Sequence, residues 1–392
     1  MKIDLVYHND LLKICHDACK LCYESSPEKD INKMAKYIGK KVEVGHESVI
    51  EHSNVVYYIE CENNSTNNLD LLTIASKSKY INISIKYTDT KIYAIIGGSI
   101  RGIKEMIKEF NRTDMFNNKI LVGFIKKLYL LPEAFFKDLI DIGIMNNGGF
   151  KDPLVVQNRY KEHEIHVKNE INLNFEITSF SNIGYLKNRI DLHTKKDLFS
   201  YKDLLDFCTI TVFVKNMSRC ASMQMIRHRN AISQQSQRYV KITEDEFVTP
   251  DEFDTTKGVD YKEISKTMKA VYNDLVSDGE LKQKNEDARY ILPQSVSTKL
   301  YMTFTFRKLL HFFNVRTGKS AQAEIRNIAL SLQELFIEGN NFVFDHKEDK
   351  IFTHDNLFDY ILPNNMNEVG SDLSEDDENK DKSVMDVIGG EV

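Results

Sequence analysis

Apolar residues recur at helical spacing near the start of the chain, where Leu11, Leu12, Cys15, Cys19 and Cys22 share one face, and again at Ile31, Met34, Ile38 and Val42. These runs predict two opening helices. The stretch GHESVIEHSNVVYYIE reads instead as a turn running into an apolar strand, Val55 to Ile59. Residues 79–96 alternate as two strands about the turn Thr88-Asp89-Thr90, and helical periodicity returns from Ile100 to Phe110. FCTITVFV, residues 207–214, predicts a further strand, followed by a helix capped at Asn216 that carries Gln224 and Arg227. Long helices are predicted over residues 260–277, 298–315 and 319–337, with Pro293 parting the first two. The pattern is α+β, with long helices that dominate toward the end.

Composition narrows this picture. The 392 residues are 42% hydrophobic, enough for a substantial core and two or three domains. No apolar run approaches the roughly 18 residues of a membrane span, and the first residues lack a signal-peptide layout. A cytoplasmic location without a membrane partner is expected, and the six cysteines are read as free thiols. The net charge of -6 resides in the tail: residues 368–392 hold nine acidic residues against two lysines, leaving about +1 for residues 1–367. Such a near-neutral body speaks against a nucleic-acid partner. Residues 366–392 are read as a disordered acidic tail, too poor in apolar surface to repay ordering.

Three motifs offer chemistry that their surroundings discourage. Cys15, Cys19 and Cys22 have the spacing of an iron-sulfur site but lie on the apolar face of a predicted helix, where cysteine serves as a small hydrophobe. His163 and His166 fall in the alternating run HEIHVK and would point to opposite faces of a strand, so no metal site is expected. GGSIRG, residues 97–102, lacks the full spacing of a phosphate loop and reads as an ordinary strand-to-helix turn.

RHRNAISQQSQRY, Arg227 to Tyr239, is different. It concentrates guanidinium forks, hydroxyls and amides in thirteen residues flanked by apolar segments. Arginine forks match phosphate oxygens in pairs, and glutamines can read the edge of a base, so the cluster suits a nucleotide. Arg289 in DARYILP and Arg316 at the end of HFFNVR are further candidate cations.

Four segments, GHESVIEH, SRCASMQMIRHR with the serine and arginine that follow it, EDARYILP, and FRKLLHFFNVRTGKSAQAEI, occur in an order that resembles the flavin-dependent thymidylate synthases. The resemblance covers residues 1–60 and about 206–340. It implies an α+β domain, an antiparallel sheet with long helices, built from residues 1–60 and 206–365 and interrupted by a folded insertion of unknown role at 61–205. It also implies conversion of dUMP to dTMP with methylenetetrahydrofolate as carbon donor, FAD as hydride carrier and NADPH as reductant, in a homotetramer with shared active sites. In this reading Ser48, Arg227, His228, Arg229, Gln234, Thr305, Arg307 and His311 bind FAD. Gln224, Arg227, Gln234, Gln235, Ser236, Gln237, Arg238, Arg289 and Arg316 bind dUMP, and His46 lies near folate or nicotinamide. Arg316 carries the catalytic role of favouring the ionised uracil ring. Two departures accompany the likeness: six residues separate Arg229 from Ser236 where members commonly have seven, and Thr305 replaces a usual asparagine. A lapsed homologue that only binds nucleotide or flavin, or a module that grips a phosphate backbone, is the alternative reading.

Overall fold

In the computed structural model, which describes residues 1–77, 79–158, 175–242, 247–249, 260–280 and 282–343, two four-stranded antiparallel sheets follow one another along the chain. The first contains β1 (Lys2–His8), β2 (Val55–Glu62), β3 (Ile81–Tyr87) and β4 (Lys91–Gly98), in spatial order β1-β2-β4-β3. The second contains β5 (Phe175–Phe180), β6 (Thr209–Ser218), β7 (Ala231–Gln234) and β8 (Ser297–Thr305), in the matching order β5-β6-β8-β7. Helices α1 (Leu11–Cys22) and α2 (Ile31–Glu43) join the first two strands, α3 (Ser65–Lys77) leads to β3, and α4 (Ile100–Lys108) leaves β4. Then come α5 (Arg112–Asn117), α6 (Lys119–Leu128), α7 (Lys137–Asp141) and α8 (Pro153–Asn158). In the second half, α9 (Ile183–Thr194) and α10 (Tyr201–Leu204) join β5 to β6, and α11 (Arg219–Ile226) leads to β7. They are followed by α12 (Tyr261–Val276), α13 (Asn285–Ala288), α14 (Phe306–Arg316) and α15 (Ala323–Val343).

The likeness of the halves extends to individual bonds. Asp10 caps α1 by accepting from the Lys13 amide, and Asn182 caps α9 by accepting from the Tyr185 amide. Ser99 caps α4 and Thr305 caps α14 in the same way. The first amide of α4, Ile100, donates to Ser53 Oγ at 2.8 Å, while the first amide of α14, Phe306, donates to the Cys208 carbonyl at 2.9 Å. Two residues into α4 Arg101 pairs with Glu51, and two residues into α14 Arg307 pairs with Asp206. The chain is therefore two copies of one structural unit.

This duplication changes the reading of residues 61–205. Rather than forming a separate insertion, β3 and β4 complete the sheet begun by β1 and β2, and β5 lies beside β6 in the second. Each unit also sends its first helix across: α1 lies against β7 and β8, and α9 lies against β1, with His193 stacked on Tyr58 of β2 at 5.1 Å. Both faces of β2 are consequently buried, Val55, Tyr57 and Ile59 within the first core and Val56 and Tyr58 within the second.

The predicted opening helices, the hairpin about residues 88–90 and the helix after Ile100 are all present. Residues 298–305, however, are strand rather than helix. Leu300, Met302 and Phe304 alternate into the core with Lys299 and Tyr301 on the other face, a period of two that a helical stripe running on from α14 conceals. The cap of α11 is Ser218, not Asn216, which has a left-handed φ of 51° inside β6. Among the described residues no group of side chains could hold a metal, and burial raises the thiols of Cys15, Cys19 and Cys22. His163, His166 and residues 366–392 lie outside the described residues. No helix among the described residues is long and apolar enough to cross a membrane.

Candidate active site

The RHR segment is positioned from both ends. Upstream, the Ser218 hydroxyl caps α11 and donates to Glu324 Oε2 at 2.5 Å, while the Ser218 amide donates to Glu324 Oε1 at 2.7 Å, fastening α11 to α15. Downstream, Ala231–Gln234 pair with β8, so the shortened loop after the triplet is absorbed into a strand. Between these anchors Arg229 adopts φ of 50°, a left-handed backbone that costs a non-glycine residue about 1–2 kcal/mol. The Lys308 ammonium donates to the Arg229 carbonyl at 3.4 Å and helps to hold that turn.

Three groups of the expected residues result. In the first, Arg316 at the end of α14 donates from Nε to His228 Nε2 at 3.1 Å and from Nη1 to Gln224 Oε1 at 3.3 Å. His228 packs edge-on against Phe312 at 5.0 Å, and His311 lies 6.2 Å away, one turn before. Burial, then the adjacent Arg316 and His311, push the His228 imidazole down to about 4. It is therefore neutral near pH 7, and with Nε2 accepting from Arg316 its remaining proton sits on Nδ1. The Arg316 cation is held by neutral groups, with no carboxylate paired to it among the described residues.

The second group lies beyond β7. Arg238 pairs with Glu286 at 3.2 Å, Arg289 Nε donates to the Glu286 carbonyl at 3.1 Å, and the Ser236 hydroxyl accepts from the Arg238 amide. The Ser236 amide donates to the Cys22 carbonyl of the first unit. Gln234 donates to Thr298 Oγ1 at 3.2 Å, Gln235 is buried and Gln237 half-buried.

The third group lines a cleft of about 510 Å³ between the units, which includes Arg229, Asn230, Thr305 and Lys308 from the second and Glu51, Asn54, Ser99 and Arg101 from the first. Arg307 stands beside it, tied to Asp206 at 2.7 Å and to the Lys202 carbonyl. Thr305 already serves as a helix cap, accepting from the Lys308 amide. Both polar atoms of the Asn230 side chain are enclosed without a hydrogen-bond partner, a costly state that a polar ligand in the cleft would relieve. The turn Glu47–His52 reaches the same region from the first unit: buried His52 bonds Thr303 Oγ1 at 2.9 Å and Ser233 Oγ at 3.1 Å. Ser48 and His46 are exposed on and beside this turn, and Arg227 is exposed at the end of α11.

Sequence reasoning left out several residues that hold these groups. Glu286, Lys308, Gln322 and Glu324 all occur within the quoted motifs, but only geometry shows that Gln322 bonds Gln224 or that Glu286 serves two arginines. Asp206, the partner of Arg307, precedes an apolar strand and carried no signal of its own.

A family model described as thymidylate synthase complementing protein matches residues 186–338. Flavin-dependent thymidylate synthases of Pyrococcus furiosus, Pyrococcus horikoshii and Geobacter sulfurreducens are similar to this chain: 35% identical over 144 residues, 37% over 153 and 36% over 140. The matches cover 35%, 38% and 34% of this chain and 57%, 63% and 59% of those relatives, so the chain spans about three fifths of their length. The crystal structure of flavin-dependent thymidylate synthase ThyX from Helicobacter pylori, complexed with FAD and dUMP, aligns with 44% of this chain and 98% of its own, at 20% identity and a TM-score of 0.35. Through residues 186–338, the chain is similar to the flavin-dependent thymidylate synthases.

Proposed function

We propose that the chain methylates dUMP reductively to dTMP, with methylenetetrahydrofolate as carbon donor and NADPH-reduced FAD as hydride source. The observation that carries this reading is the Arg316 guanidinium, held by His228 and Gln224 at the edge of the RHR segment. A cation fixed by neutral partners beside a bound uracil ring favours loss of the ring proton. Electron density then rises at carbon 5, which becomes nucleophilic without a covalent bond to the enzyme. Cys220, whose thiol is directed to Gln322 Oε1 at 3.7 Å, is not required as a nucleophile in this scheme.

The residues present fit both ligands. Arg229, His228, Asn230, Arg307, His311 and Thr305 would hold FAD, with Ser48 reaching it from the first unit and His46 near folate or nicotinamide. When bound, the flavin supplies the hydride. Gln224, Arg227 and Gln234 would face the nucleotide, while Ser236, Arg238 and Arg289, with Gln235 and Gln237 beside them, form its phosphate side. The neutral His228 ring accepts from Arg316 and so orients the guanidinium without competing for the uracil proton. An assembly of four units with shared sites belongs to the same reading. In this reading four units would be supplied by two chains, since each chain carries two.

The test is conversion of dUMP in the presence of NADPH and methylenetetrahydrofolate, with dTMP measured by chromatography. Formation of dTMP is expected; a flavin-loaded chain that makes none contradicts the proposal.

A further inference from the structure

The cleft between the units is formed by equivalent segments of the two copies, but their chemistry has diverged. Gly97 pairs with Asn82, and Thr303 pairs with Ala231, so Asn82 matches Ala231, Ile81 matches Asn230 and Tyr80 matches Arg229. Counting from the caps Ser99 and Thr305, Arg101 matches Arg307 and Gly102 matches Lys308. On the second unit's side, Arg229 and Lys308 line the cleft beside Asp206, whose carboxylate is paired with Arg307. Across the cleft, Lys79 and Arg101 are balanced by Glu51 and Glu105.

Space differs as well as charge. A Cβ on Gly102 would lie 2.6 Å from the Tyr80 carbonyl oxygen, so the chain closes there against itself. At the matching place Lys308 has room for a full side chain, whose ammonium donates to the Arg229 carbonyl at 3.4 Å. The exchanged parts differ at their tips: His52, at the end of the turn Glu47–His52, crosses to the second unit through two side-chain hydrogen bonds, whereas its counterpart Phe207 sets an apolar ring over Gly97 and bonds the first unit only through its carbonyl, which accepts from Asn54 Nδ2 at 2.8 Å.

We propose that the chain is a fused pair in which one composite dinucleotide site is kept and its pseudo-symmetric twin is lost. The first unit lends the Glu47–His52 turn, the second supplies Arg229, Asn230, Arg307 and Lys308, and the side lined by Tyr80, Arg101 and Gly102 binds nothing anionic. The identity of the ligand as FAD rests on the proposed function; the asymmetry of the cleft does not. Each chain therefore holds one flavin, where two symmetric sites would hold two.

The experiment is calorimetric titration of the full-length chain, stripped of bound ligand, with two probes: FAD, and inorganic pyrophosphate as the anion at the dinucleotide's centre. One FAD per chain is expected. Arg229→Ala and Lys308→Gln should each weaken both probes by about tenfold or more, while Tyr80→Ala, on the opposite side, leaves them within about twofold. Circular dichroism of each variant checks folding, and exposed Lys308 serves if Arg229→Ala fails to fold. Two FAD per chain, or equal losses from the two sides, overturns the proposal. Failure of FAD with the same pattern for pyrophosphate removes the flavin reading and leaves the asymmetry standing. Binding of neither probe overturns both.

Discussion

The two units share a scaffold and differ in what they place on it. Each sets a capped helix on the end of a central strand, with an arginine in the first turn paired to a carboxylate from the other long strand's approach. Further along, α14 continues to His311 and Arg316, while α4 continues to Glu105 and ends at Lys108 inside a cluster with Glu47 and Asp138. Caps, registers and first-turn ion pairs are what the fold needs, and both copies keep them. Arg229, Lys308 and Arg316 stand in the second copy without an ion pair among the described residues, and these are the cations that the proposed ligand would meet.

The largest expected effect that separates the units comes from Arg316→Ala. Losing the cation should lower turnover by about 10²–10³-fold, in the range of one electrostatic group removed from a reacting site, while flavin absorbance is retained. Turnover near that of the parent protein would remove Arg316 from the mechanism. Next, Arg307→Ala should weaken FAD about tenfold by fluorescence titration, whereas Arg101→Ala leaves it unchanged. Equal losses would erase the distinction between the copies.

A third prediction concerns the junction. Burial depresses the His52 imidazole to about 3, against an ordinary value of 6.5. The unfolded chain takes up this proton below pH 6.5 and the folded chain does not, so stability falls as the pH drops from 6.5 toward 3. Over pH 6.5 to 5 this single site should contribute a loss of about 1–2 kcal/mol. Urea denaturation of His52→Gln at the two pH values should show a shallower loss than the parent; an identical slope would refute it. The smallest effect belongs to the shared scaffold. Ser99→Ala and Thr305→Ala should each cost about 1 kcal/mol by the same denaturation, and Thr305→Asn should keep the cap. A large loss at only one of the two would show that the units are held differently.

Much of the candidate site was legible because its residues sit in contiguous motifs with distinctive chemistry: Arg227 to Arg238, Arg289 and Arg316 can be named as candidates from the sequence alone. The duplication was not. β3 and β4 read as a plain hairpin and β5 borders residues outside the described set, so nothing local ties them to partners that lie far off in sequence. Their equivalence to β7 and β8 lies in strand order, which periodicity does not encode. The strand at residues 297–305 was hidden for a related reason: its alternating core positions merge with the apolar stripe of α14, and a continuous window sees one long helix. Partners such as Asp206 for Arg307 are set by the meeting of two elements a hundred residues apart.

The most direct measurement is release of the carbon-5 hydrogen from labelled dUMP by the flavin-loaded full-length chain, with NADPH and methylenetetrahydrofolate present. Release by the parent protein, and its loss in Arg316→Ala with flavin still bound, is the predicted result; no release from the parent protein would contradict the account.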